Sequence, residues 1–278
     1  MLLQKTGETV SNHFFRLLTE LSSRKTVSRI TGAFAEARMS RRLIPWFART
    51  YGIPLEDAEK DWTEYGSLND FFTRRLKPGL RPVEAASDAI VSPVDARITG
   101  MGPVQDGQLL SIKGQDYTVD ELLNHSPRMI NYRNGYYLVL YLSPTDYHRI
   151  HCPADGRILE KERISGRVYP VNEFGLRYMK RVLSRNERLV TYLHTPYGEV
   201  AVVKVGALNV SGIVYASPLP EQLHAGDELA YFKFGSTVVL LLENGIFEPR
   251  ADLMTGSVVK MGERLGRLSR AGTTSREA

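Results

Sequence analysis

Between residues 65 and 85 the spacing of apolar residues changes from a three-and-four repeat to short alternating runs, so one chain must supply a helical part and a sheet part. Before the change, Phe14, Leu17, Leu18 and Leu21 recur at helical spacing, as do Val27, Ile30 and Phe34, and Ser11 is placed to cap the first run. Pro45 is expected to end or kink this run, with Ile44, Trp46, Phe47 and Tyr51 continuing it as amphipathic aromatics. Further short helices are expected over Leu55–Trp62 and Ser67–Phe72. Pro78, Gly79 and Pro82 then punctuate the chain.

From about Ile90 onward, strands are expected at Tyr136–Leu142, Leu189–Leu193, Val200–Val205 and Thr237–Leu242. The phrase from Leu223 to Leu229 reads as a turn of a lipoyl-like, hammerhead-type β-sandwich. The expected class is therefore α+β: a helical region over residues 1–65, facing a membrane, and a mostly antiparallel sheet domain over 66–278 with lipoyl-like sandwich features. No internal repeat is visible, and only the tail after Ser269 reads as disordered.

Charge is spread unevenly. The whole chain carries +5, but residues 1–50 hold nine basic against three acidic side chains, a net +6. Whatever the basic balance attracts, it attracts to the N-terminal segment. The aromatics Phe14, Phe15, Trp46 and Phe47 beside those arginines suit an interfacial helix on an anionic membrane surface. Signatures of nucleic-acid binding are missing, so no nucleic-acid partner is expected. The longest uncharged aliphatic run, Val238–Leu242, is far too short to span a bilayer. A single cysteine, Cys152, excludes an internal disulfide framework and reads as a small buried hydrophobe.

Chemistry concentrates in three segments: Ser92-Pro93-Val94-Asp95, Asp146-Tyr147-His148-Arg149-Ile150-His151 and Gly235-Ser236-Thr237. They supply an acid, two imidazoles and a hydroxyl, the ingredients of a serine activated by an Asp-oriented histidine. The glycine before Ser236 leaves its carbonyl uncrowded toward attack by that serine's own hydroxyl. An alternative reading makes Asp95, His148 and His151 the ligands of a zinc hydrolase, since histidines three apart can share a metal on a helix. Against it, Tyr137–Ser143 reads as a strand leading into that segment, and no glutamate base adjoins either histidine. A carrier module, the non-enzymatic alternative, needs a modified lysine on a tight turn, whereas Lys233 precedes an apolar strand. His13, His125, His194 and His224 have no such company and are assigned no role.

Over roughly residues 65–265 the chain resembles the phosphatidylserine decarboxylase family in its longer bacterial and mitochondrial form. The likeness runs through Asn69-Asp70-Phe71-Phe72-Thr73-Arg74, Ser92–Asp95, Gly114-Gln115-Asp116-Tyr117, Asp146–Arg149 with His151, Arg185-Asn186-Glu187-Arg188, Val205-Gly206-Ala207 and Gly235-Ser236-Thr237. Two departures are Phe234, where the family has leucine, and Ala96, where it has glycine. The resemblance implies self-cleavage between Gly235 and Ser236 by a triad of Asp95, His151 and Ser236. It also implies a covalent pyruvoyl group made from Ser236, no metal, and His148 acting in the decarboxylation step. The implied substrate is phosphatidylserine, the products phosphatidylethanolamine and carbon dioxide, and the protein a homodimer peripheral to the cytoplasmic face of the cell membrane.

Overall fold

The computed structural model describes residues 32–112, 115–169, 171, 179–207, 212–233 and 236–270. The helical expectations over Ser11–Ile30, the aromatics Phe14 and Phe15, and the Phe234-Gly235 step lie outside the described residues. Within them, a 3-10 segment Arg38–Leu43 leads into an α-helix Ile44–Tyr51. Pro45 opens that helix instead of ending it, because a first-turn residue has no intrahelical partner for the N–H that proline lacks. Gly52 closes the helix at φ 63°, a left-handed conformation that costs glycine least.

The expected helix over Leu55–Trp62 is replaced by two 3-10 turns, Leu55–Asp57 and Trp62–Glu64. Between them Ala58 is extended and bridges to Leu76, a tertiary pairing that overrides the local helical spacing. Ser67 caps the short helix Leu68–Phe72 by accepting a hydrogen bond from the Asp70 amide at 3.1 Å.

Most of the rest of the described residues form antiparallel sheet. The largest has eight strands, with the Ser236–Leu242 strand between Tyr136–Leu142 and Gly198–Gly206. Every residue from Val238 to Leu242 is fully buried, because the sheet is covered on both faces. Val238, Leu240 and Leu242 face a core shared with Ile150, Ala230, Phe232 and Ile213 of a three-stranded sheet. Val239 and Leu241 face a second core under the short helices Val119–Leu122, Met129–Tyr132 and Val182–Arg185, which contribute Leu122, Tyr132 and Leu183. At about 1.5–3 kcal/mol for each buried aliphatic side chain, this strand is a principal anchor of the sheet.

The N-terminal elements keep a core of their own around Ile44, Phe47, Phe71 and Phe72. Phe47, expected at an interface, is buried and packs edge-on to Phe72 at 6.1 Å, whereas Trp46, one residue earlier, is 61% exposed. Several contacts tie this layer to the sheets, among them the Arg75–Glu228 pair at 3.1 Å. Phe72 stacks at 4.0 Å on His148, Arg149 donates to the Thr73 carbonyl at 2.9 Å, and Lys233 pairs with Glu36 at 2.6 Å.

Candidate active site

Asp95 ends a tight turn in which the Ser92 hydroxyl donates to the Val94 carbonyl at 2.6 Å. Its carboxylate is buried and takes both arms of the Arg81 guanidinium at 2.8 and 2.5 Å, the Met261 amide at 2.9 Å and the Lys260 ammonium at 3.2 Å. Burial opposes the negative charge, but the Arg81 fork, the Met261 amide and the two cations outweigh it and hold the carboxyl below its ordinary value. The sequence reading paired Asp95 with an imidazole; in the fold, Arg81 and Lys260 occupy its oxygens. Neither cation carried a signal in the sequence, since each reaches Asp95 through a separate segment.

His151 lies alongside the same turn, its amide donating to the Pro93 carbonyl at 2.8 Å. Its Nδ1 faces the Gly226 carbonyl at 2.7 Å, which assigns the proton to Nδ1 because a carbonyl only accepts. Nε2 is therefore the free base, and the Tyr147 hydroxyl donates to it at 3.2 Å. Gly226 sits at φ 88°, where an added Cβ would lie 2.6 Å from Val83, so glycine is required at the residue that orients His151. Burial lowers the His151 pKa.

His148 is fully buried between Phe72 and the sheet. Its Nδ1 donates to the Asp146 carbonyl at 2.8 Å, and Nε2 has no partner among the described residues. Burial pushes this histidine down to about 3, so the ring is neutral at neutral pH. The sequence argument for His148 as an acid rested on the ordinary imidazole value, which this environment removes.

Ser236 begins its strand paired with Leu142 on one side and Gly206 on the other. Two connections bracket it against His148. The Phe232 amide, four residues before Ser236, donates to the His148 carbonyl at 3.1 Å, and Leu142, opposite Ser236, lies six residues before His148. Four residues reach at most about 14 Å when fully extended, so the Ser236 backbone is confined to the neighbourhood of the His148 backbone. A cavity of about 240 Å³ is lined by Arg74, Arg81, Asp95, Asp146, Tyr147 and Lys260 among others, and Tyr147 of this lining touches His151.

Asp95, His148 and His151 do not converge as metal ligands, and among the described residues no group of three or more His, Cys, Asp or Glu side chains is arranged to hold an ion. The zinc reading thus gains no support. Cys152, beside His151, is fully buried with its thiol on the Ala154 carbonyl, and burial pushes it up to about 12, as befits a small core residue. Sequence reasoning missed Tyr147 and Gly226 as the partners of His151, although Tyr147 stands inside the segment it singled out.

A model of the phosphatidylserine decarboxylase family matches residues 68–267. The phosphatidylserine decarboxylase proenzyme of Geobacillus kaustophilus (strain HTA426) is 42% identical over 253 residues, covering 91% of this chain and 95% of that protein. The proenzyme of the same name from Halalkalibacterium halodurans is 44% identical over 257 residues, covering 91% and 97%. Matched over most of its length and through the segments that build this site, the chain belongs to the phosphatidylserine decarboxylase family.

Proposed function

We propose that this chain is a proenzyme that cleaves itself between Gly235 and Ser236 and then decarboxylates phosphatidylserine to phosphatidylethanolamine and carbon dioxide. The observation that carries the reading is the bracketing of the Ser236 backbone against His148. In the self-cleavage the Ser236 oxygen attacks the Gly235 carbonyl and the amide becomes an ester. Elimination across Cα–Cβ of Ser236 then releases the Gly235 carboxylate, and water displaces ammonia to leave a pyruvoyl group. His151, with Nε2 unprotonated, is the base for that hydroxyl, and Asp95 is the acidic member of the set; the Pro93–His151 backbone bond supports their grouping.

The residues around Ser236 fit a pyruvoyl group. A glycine, Gly206, stands opposite it and presents no side chain, and the orphaned Nε2 of His148 lies on the adjoining segment. Such a group, joined to the headgroup amine, would supply the electron sink for the departing carboxylate. His148 then holds or delivers the proton that replaces carbon dioxide. An anionic headgroup beside it supports the charged imidazolium that burial alone suppresses.

The division into residues 1–65 and 66–278 goes with this reading, as do a peripheral place on the cytoplasmic membrane face and a homodimer. Support for the membrane face comes from exposed Phe34, Met39 and Trp46 beside exposed Arg38, Arg42 and Arg49. Among the described residues no helix is long and apolar enough to cross a membrane. The two-faced sheet core and the turn joining Gln222–Leu223 to Glu228–Phe232 support the lipoyl-like likeness. Denaturing intact-mass measurement tests the central claim: fragments 1–235 and 236–278 are expected, the second with a blocked N-terminus, and Ser236→Ala should remain whole and inactive. An active, unbroken chain would refute it.

A further inference from the structure

Seven buried side-chain polar atoms lack a hydrogen-bond partner among the described residues, and five of them belong to Tyr65, Asn69, Arg74 and His148. Tyr65, Asn69 and Arg74 fall on or beside the Leu68–Phe72 helix, and His148 packs on its Phe72. Arg74 is the costliest of these. The residue is 4% exposed, its Nε and Nη1 find no acceptor among the described residues, and its guanidinium lies over the Phe71 ring at 5.1 Å. Stable chains do not leave a guanidinium buried without an oxyanion or a full set of acceptors.

Arg74 lines this cavity together with Arg81 and Lys260. Three carboxylates share the lining, and they are not equivalent. Asp95 is spent on Arg81, Lys260 and the Met261 amide, and Asp146 accepts from the Ser143 amide and hydroxyl at 2.8 and 2.7 Å. Asp57 leaves a negative charge on the wall. The Arg81–Asp95–Lys260 cluster is net +1 and Arg74 adds another, against Asp57 and Asp146, so the lining charges cancel and the unspent donors of Arg74, not a net positive field, are what the cavity offers an anion.

We propose that this cavity is the receptor for the phosphodiester of the lipid headgroup, with Arg74 as the residue that recognises it. The proposal deepens the phosphatidylserine reading and rests on it for the identity of the lipid. The position agrees with the chemistry. Asp146 and Tyr147, on the cavity wall, directly precede His148, and Arg74 follows Phe72, which covers His148, so a headgroup held at Arg74 lies next to the reacting centre. The reacting carboxylate belongs elsewhere, toward Phe72 and His148, because a guanidinium gripping the group that must leave as carbon dioxide would stabilise the ground state and slow its loss. A fork of N–H donors also suits two phosphodiester oxygens.

Binding is measured on the uncleaved Ser236→Ala chain by 31P titration with glycerophosphoethanolamine, a soluble phosphodiester, and separately with inorganic phosphate. The diester should bind at least about 10-fold more tightly to Ser236→Ala than to Ser236→Ala/Arg74→Gln, with Arg74→Lys between them. In the cleaved protein, Arg74→Gln should raise KM for dihexanoyl phosphatidylserine about 10-fold or more, while kcat per pyruvoyl fragment changes less. Equal diester binding with and without Arg74 overturns the proposal. So does inorganic phosphate binding as tightly as the diester, which would mark a free-phosphate site. Should the Arg74 variants fail to fold, the two probes on Ser236→Ala alone decide, and binding of neither is a refutation. A chain that binds the diester through Arg74 yet makes no phosphatidylethanolamine sinks the decarboxylase reading instead.

Discussion

Removing Arg81 should expose how much of this fold depends on neutralising Asp95. The Asp95 side chain is 2% exposed and Arg81 18%, so the pair sits where truncating one partner of an ion pair costs about 3–5 kcal/mol. Lys260, half exposed at 3.2 Å, and the Met261 amide stay behind, so Arg81→Met should fall at the low end, about 3 kcal/mol at pH 7. A domain stable by about 5–15 kcal/mol survives that loss, and it is measurable by urea denaturation of the Ser236→Ala chain.

The pH dependence follows from the same groups. Asp95 is depressed in the folded chain, so its contribution is present above the ordinary value of 3.8 and disappears as pH falls through the lower folded value. Without Arg81, burial, the largest single influence on this carboxyl, is far less opposed and drives it upward. Arg81→Met should therefore be penalised most at pH 7, and the penalty should shrink toward pH 4 as Asp95 is neutralised. The double change Arg81→Met/Asp95→Leu should recover most of the loss at pH 7. A penalty under about 1 kcal/mol, or one that does not vary with pH, would refute the claim that a buried charge is being compensated.

Two further outcomes separate the remaining assignments. His151→Ala should leave the chain uncleaved by mass, whereas His148→Ala should cleave at least in part but lose about 10²–10⁴-fold in turnover; the reverse pattern would exchange the two roles. Replacing Arg38, Arg42 and Arg49 together by glutamine should weaken binding to anionic vesicles by about 1 kcal/mol for each residue that touches the surface, measured by co-sedimentation; unchanged binding would make that face an ordinary solvated one.

Local pattern made much of this protein legible. The Tyr136–Leu142 strand was readable to the residue, and the Leu189–Leu193, Val200–Val205 and Thr237–Leu242 runs lie inside observed strands, because β-branched and aromatic residues bounded by turns leave few other options. The short helix expected over Ser67–Phe72 is found as Leu68–Phe72, with Ser67 as the cap that the structure adds. Leu55–Trp62 was misread because Ala58 pairs with Leu76, a partner that helical spacing does not reveal. Phe47 and Trp46 looked alike in sequence and part company in the fold, since only the neighbouring Phe72 determines which helix face is covered.

The sequence by itself determined which segments are strands and which carry an acid, two imidazoles and a glycine-preceded serine, because strand periodicity and short motifs are written in neighbouring residues. Tertiary structure alone decided what those groups are. Asp95 meets Met261 from 166 positions away, His151 meets Gly226 from 75, and Phe72 covers His148. Charge, tautomer and basicity depend on the nearest few ångströms of dielectric and hydrogen-bonding partners. Distant segments supply those surroundings only once the chain has folded.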